Sequence, residues 1–235
     1  MRSFMYTIKV PVGMQVMGYS GWYAQYDGNG SLKPEEGRGW DIGFESEWQG
    51  LKLSAAYFQT DYKDKIIDVA LGNGHHQFQN SGGTSRLQGI EASGSYDLGQ
   101  AFSWNFSLMP YVNLTHMIKA DDKDGHKLPH IRTNIIAYGL RYDHPAHGLN
   151  VDLRLLYLGH QSEKYNDAFY ASQTLRTGGE TTADLHITKT IWERRDGGRL
   201  NVKASLMNIF DKNYMAYYGY PQPGRTFYVG LRYEY

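Results

Sequence analysis

Period two runs through this chain from end to end, and it constrains the fold more than any other property. The closing stretch, Gly224 to Tyr235, reads GRTFYVGLRYEY. Phe227, Val229, Leu231, Tyr233 and Tyr235 fall on one face of an extended chain, and Tyr228, Gly230, Arg232 and Glu234 on the other. The pattern recurs at Trp40, Ile42, Phe44 and Trp48, at Leu51, Leu53, Ala55 and Tyr57, and at Ile90, Ala92, Gly94, Tyr96 and Leu98. Its clearest run is Phe102, Trp104, Phe106, Leu108, Pro110, Val112 and Leu114. Further runs are Ile136 to Tyr142, Leu149 to Tyr157, Ala183 to Ile187 and Leu200 to Leu206. Alternation sustained over so many segments predicts strands, and helical spacing competes nowhere. At the N-terminus Phe4, Tyr6, Ile8, Val10, Val12, Met14 and Val16 share one parity, which predicts a long first strand.

Connection lengths sort these strands into a topology. The short turns are Gln49–Gly50, the Gly-Gln-Ala after Leu98, the stretch HPAHG after Asp143 and RRDGG after Glu193. Between them lie long polar connections, among them DYKDKIIDVALGNGHHQFQNSGGTSR and QSEKYNDAFYASQTLRTGG. Short and long alternate strictly, as in bacterial outer-membrane barrels with short periplasmic turns and long outer loops. Roughly ten strands result, an even number, with both termini on the short-turn side.

Polarity decides which face meets what. One face carries Asn105, Asn113, Asp152, Arg154, Asp184 and His186, costly in a dry core. The other is continuous Leu, Val, Phe, Trp and Tyr, suited to lipid. Only a closed barrel pairs every backbone group there. A soluble lipocalin-like barrel or sandwich with the apolar face inward is the alternative, which the loop asymmetry disfavours. No run of about 18 apolar residues exists for a transmembrane helix, but a barrel needs only alternate residues to be apolar. A mean hydropathy of −0.57 therefore fits it. With 24 basic against 24 acidic residues the chain lacks the basic surplus of a nucleic-acid binder, and without cysteine it has neither disulfide nor thiolate site. The N-terminus is not a secretory signal, since Lys9 and Pro11 interrupt the apolar stretch.

Four segments resemble one family, the TonB-dependent outer-membrane receptors. They are SLKPEEGRGWDIGFE (Ser31 to Glu45), AAYFQTDYKDKI (Ala55 to Ile66), NSGGTSRLQGIEASGSYDL (Asn80 to Leu98) and NIFDKNYMAYYGYPQPGRTFYVGLRYEY (Asn208 to Tyr235). The resemblance implies an all-β fold, an antiparallel transmembrane β-barrel of which residues 1–235 form the C-terminal portion, roughly ten of about 22 strands. The plug domain and signal peptide of such receptors are expected to be absent from this sequence. Also implied is a place in the outer membrane of a Gram-negative bacterium, amid outer-membrane lipid. The expected function is TonB-energised uptake of a metal chelate such as a ferric siderophore, cobalamin or haem, with TonB acting through the missing plug. Leu231, Tyr233 and Tyr235 match the terminal signal read by the barrel-assembly machinery. No enzyme activity, cofactor or resident metal is implied.

Ligand contacts are expected in the long loops, where aromatics concentrate: Trp22, Tyr23 and Tyr26, then Tyr165, Phe169 and Tyr170, then Tyr214, Tyr217, Tyr218 and Tyr220. Such rings stack on catecholates or macrocycles, or simply pack the loops and the membrane interface. His75 and His76 are further candidates, although neighbours on a strand point to opposite faces and serve one metal poorly. The stretch DDKDGH, Asp121 to His126, resembles the start of a calcium loop but lacks the later acidic ligands. A rival reading is a self-contained ten-strand barrel with a protease-like or adhesin role, which would draw on His116, His160, Asp61 and Asp211.

Overall fold

The computed structural model describes residues 2–21, 24–166, 172–194 and 197–235. Ten strands carry the fold: β1 (Arg2–Lys9), β2 (Glu35–Trp48), β3 (Leu51–Lys63), β4 (Thr84–Tyr96) and β5 (Ser107–Asp121), then β6 (Asn134–His144), β7 (Leu149–Leu158), β8 (Glu180–Glu193), β9 (Arg199–Met207) and β10 (Thr226–Glu234). They form one ten-stranded sheet in sequence order, with β1 at one end and β10 at the other. β1 pairs antiparallel with β2, and each neighbouring pair from β5 to β10 is antiparallel too. Lengths run from 8 residues in β1 to 15 in β5, against about 9–11 needed to cross a bilayer at a tilt. Among the described residues helix is confined to Gly13–Met17, Leu98–Ala101 and a 3-10 turn at Pro145–His147.

The chain divides into two compact units. One comprises Met1–Ile42, Tyr57–Gly89 and Ile118–Leu128, the other Gly43–Ala56, Ile90–Met117 and Pro129–Tyr235. In the first, β1 sets Phe4 beside Trp40, with Ser3 beside Asp41 on the reverse face. The second unit shows how register sorts the faces. Pro110, Leu140, Leu153, Leu185, Leu206 and Phe227 form one row straight across β5 to β10. One residue along, Met109, Arg141, Asp152, His186, Ser205 and Tyr228 form another on the opposite face. A slip of one residue would exchange the two sets wholesale, so the pattern fixes the pairing.

The polar face is knitted together. Tyr111 reaches across Gly139 and donates to Asp152 at 3.0 Å, while Arg141 lies over its ring at 5.6 Å. A side chain at 139 would meet the Leu153 carbonyl at 2.1 Å and the Tyr111 hydroxyl at 2.8 Å, so glycine is what lets the ring lie flat. Elsewhere Arg86 forks onto Asp61 at 2.7 and 3.0 Å, and a hydrogen bond of 2.9 Å joins His186 and Ser205. The apolar face has no such partner. Among the described residues the buried apolar side chains are Ile66, Ala120 and Ala183, whereas Phe44, Leu153, Phe227, Val229 and Leu231 are exposed. Among the described residues no dry core collects the leucines, valines and phenylalanines, as the lipid-facing expectation requires and the inward-facing alternative does not allow.

Two expected strands are shorter than their alternation suggests. The first ends at Lys9 rather than continuing to Val16, because Pro11 offers no N–H to a ladder. A helical turn follows, in which the Gln15 side chain accepts the Val12 N–H at 3.0 Å. The run from Phe102 becomes a strand only at Ser107. Before it, Asp97 caps a turn by accepting the Gln100 N–H at 3.1 Å, and Phe102, Trp104 and Phe106 stack in series at 5.6 and 5.0 Å. Stacked turn aromatics thus imitate a strand's period.

Candidate ligand-binding loops

The long connections are folded rather than open loops. In the first unit, Gly18–Ser20, Gln25–Asp27, His75–Asn80 and Ile66–Gly72 form a four-stranded sheet in that order. Pairing sets Tyr19 opposite Tyr26, Tyr26 alongside His76, and Asp68 opposite Phe78. One face therefore gathers rings: Tyr19 and Tyr26 stack at 4.5 Å with planes 5° apart, and Tyr26 lies 5.4 Å from both Phe78 and His76. Asp68 ties the polar edge, accepting from the Tyr26 hydroxyl at 3.3 Å and lying 2.9 Å from His76 Nδ1. Burial, reinforced by the Asp68 charge, holds the Tyr26 phenol above its usual range. His75 points the other way, to Asp27 at 3.1 Å, so the adjacent histidines do not converge. The rings offer flat faces beside a carboxylate, which suits a planar conjugated ligand better than a bare cation.

A second assembly lies in the other unit, where Gln161, Thr177 and Tyr218 meet at Glu163. This carboxylate is 2% exposed. It accepts from the Thr177 hydroxyl, from Gln161 at 2.9 Å and from the Tyr218 backbone N–H at 2.6 Å. Burial pushes its carboxyl up, but these hydrogen bonds together outweigh it and hold the group below the usual carboxylate range. Arg132 adds a second clamp, donating to the Gly159 and Ala216 carbonyls at 2.9 Å each. Tyr217 meets His130 edge-on at 5.3 Å. The clamp presents Tyr217, Tyr218 and Tyr220 to solvent.

Of the residues expected to contact ligand, Tyr26 and His76 are brought together in the loop sheet, and Tyr217 and Tyr218 are adjacent on the clamped tip. His75 stands apart from the ring cluster. Trp22, Tyr23, Phe169 and Tyr170 lie outside the described residues, and Tyr165 is placed only by its backbone pairing with Gln173. Sequence reasoning overlooked Tyr19, Asp68, Phe78, Glu163 and Arg132. For Phe78 a signal existed, since it shares parity with His76 in HHQFQN. At the chain's end Leu231, Tyr233 and Tyr235 are exposed on the apolar face, and Tyr233 stacks near Trp192 at 6.3 Å.

In DDKDGH, Asp122 accepts the N–H groups of Asp124 and His126 at 2.9 Å each, so its carboxylate closes a turn. Asp122, Asp124 and His126 sit within 4.8 Å of one another but are largely exposed. Of the residues the protease-like reading would draw on, His116 pairs with Asn134 at 2.7 Å, Asp61 with Arg86, Asp211 accepts the Arg225 N–H at 2.7 Å, and His160 lies against Gly179.

A family model described as the TonB-dependent receptor-like β-barrel matches residues 3–209. Among solved structures, the siderophore receptor PirA from Acinetobacter baumannii is 22% identical, with a TM-score of 0.71 over 90% of this chain and 33% of its own. A mutant of the ferric enterobactin receptor PfeA from Pseudomonas aeruginosa, in complex with enterobactin, is 22% identical, with a TM-score of 0.75 over 99% of this chain and 38% of its own. The copper transporter OprC is 16% identical, with a TM-score of 0.74 over 100% of this chain and 36% of its own. At these identities the likeness is one of fold, and the chain spans between 33% and 38% of these structures' lengths.

Proposed function

Because this chain belongs to the TonB-dependent receptors, through the barrel-domain match over residues 3–209, we propose that it supplies wall and outer loops to a receptor for a metal chelate such as a ferric siderophore. The family consists of transporters rather than enzymes, and membership places the chain in the Gram-negative outer membrane. The proposed uptake is driven by TonB acting on a plug domain. On this reading residues 1–235 are the C-terminal portion of a larger barrel, the polar face lines the lumen, and Leu231, Tyr233 and Tyr235 present the terminal assembly signal. Outer-membrane lipid then covers the apolar face.

The observation that carries the reading is the register of β5 to β10, which lays mainly apolar rows on one face and mainly polar and charged rows on the other. No water-soluble sheet profits from that arrangement without a buried core. For the ligand class, support comes from the clustered rings of Tyr19, Tyr26 and Phe78 and from the exposed Tyr217 and Tyr218. Uptake of a radiolabelled ferric catecholate by cells producing the receptor that carries this sequence tests it. Transport should require TonB and fall several-fold with Tyr217→Ala and Tyr218→Ala together. Scoring uptake per receptor molecule in the membrane separates lost ligand contact from lost assembly. TonB-independent entry, or none with ferric siderophores, cobalamin or haem, would reject the assignment.

A further inference from the structure

At the short-turn end of β6, β7 and β8 the apolar face closes on a row that is not apolar. His144 stands beside Leu149, Leu149 beside Lys189, and Lys189 beside Val202. His144 is 8% exposed, and its Nδ1 is buried without a hydrogen-bond partner. The His147 ring lies 4.2 Å from it across the 3-10 turn. Lys189 reaches over the same turn and donates to the His147 carbonyl, which leaves two of its three ammonium hydrogens unassigned. Among the described residues neither Lys189 nor His147 forms an ion pair. Two acids at the same strand ends are engaged elsewhere: Asp143 accepts from Asn150 at 3.4 Å on the polar face, and Glu193 accepts from Arg199 at 2.7 Å. Aromatic rings bed the corner, with Phe106 stacked 6.0 Å from His144 and Tyr142 at 6.2 Å.

Among the described residues the Lys189 ammonium has no counter-charge, and beside it a buried histidine nitrogen lacks a hydrogen-bond partner, which carries a desolvation cost. Directly along the strands lies hydrocarbon-facing surface, the row Tyr142, Val151, Ile187 and Ala204. We propose that this corner binds the phosphodiester of an anionic phospholipid, with the acyl chains lying along Val151, Ile187 and Leu153. Lys189 snorkels to the headgroup level and supplies the charge, as basic side chains at a membrane boundary do. The exposed His147 ring donates an N–H bond to a phosphate oxygen, with the buried His144 ring packed behind it. Phe106 and Tyr142 pack against the glycerol region, the depth aromatic girdles favour. The proposal rests on the reading that the apolar face meets lipid.

Native mass spectrometry of the detergent-purified receptor that carries this sequence tests it, with short-tailed phosphatidylglycerol, phosphatidylcholine of the same tails and inorganic phosphate as probes. Phosphatidylglycerol should bind most tightly. Lys189→Ala should weaken it about five-fold, His147→Ala should weaken it in the same direction, and Lys189→Arg should retain it. Lys203→Ala, on the polar face, should change nothing. Equal retention of the two lipids, indifference to Lys189→Ala, or phosphate binding as tightly as the lipid would each overturn the headgroup site. Failure to hold either lipid, with the receptor staying monodisperse in water after detergent removal, would instead overturn the membrane reading beneath it.

Discussion

Glu163 shows what a single buried carboxylate does when everything around it donates. Its folded-state value lies below the ordinary value of about 4.5, so its hydrogen bonds contribute stability in full above that pH. The contribution is lost as pH falls through the lower folded value. The hydrogen-exchange protection factor of the Tyr218 amide should therefore drop as pH falls below about 4.5. Glu163→Gln should flatten that dependence and cost about 1–3 kcal/mol of local stability, since one of its donors loses its acceptor. Unchanged acid sensitivity in the Gln variant would transfer the effect to another group. None of this was legible in the sequence, because Thr177 and Tyr218 lie 14 and 55 residues away from Glu163. A polar residue's partners across two loops leave no periodic trace. Tyr26 differs: its neighbour His76 was singled out as a loop residue, but the parallel pairing of Tyr26 with His76 that joins them is long-range.

At the scale of strands the sequence was far more readable, because membrane strands write their two faces into alternate positions. β6 to β10 appear where Ile136, Leu149, Ala183, Leu200 and Phe227 begin their runs. The misreadings are equally physical. β1 stops early at a proline, and the Phe102 to Phe106 ladder keeps a strand's period inside a turn. Loop strands such as Gln161–Asn166 are short and polar, so composition disguised them as open connections. If the two faces have the environments assigned to them, paired substitutions on β7 must behave oppositely. Leu153→Arg, in the middle of the apolar row, should cost about 2–4 kcal/mol in the receptor reconstituted in lipid vesicles. Arg154→Leu, one residue along and on the polar face, should cost less. Equal costs in chemical unfolding would mean that β7 does not separate lipid from an aqueous lumen.

For the molecule as a whole the decisive feature is that the sheet has two ends. β1 and β10 each have one neighbour in it, β2 and β9, so the outer edge of each carries unpaired N–H and C=O groups. In hydrocarbon each such group costs several kcal/mol, and edge strands in water invite aggregation. β1 has 8 residues and β10 has 9, so neither edge is a trivial length of exposed backbone. Ten strands spanning a bilayer must therefore meet further strands at both edges, or β1 must find β10. Gel mobility with and without heating tells these apart for the 235-residue chain folded into detergent on its own. We expect no compact, heat-modifiable species from that chain, and its appearance once the strands of the larger barrel are supplied. A fast-running band from the chain alone would mean that β1 and β10 pair into a ten-strand barrel, and the wall reading would give way to a self-contained one.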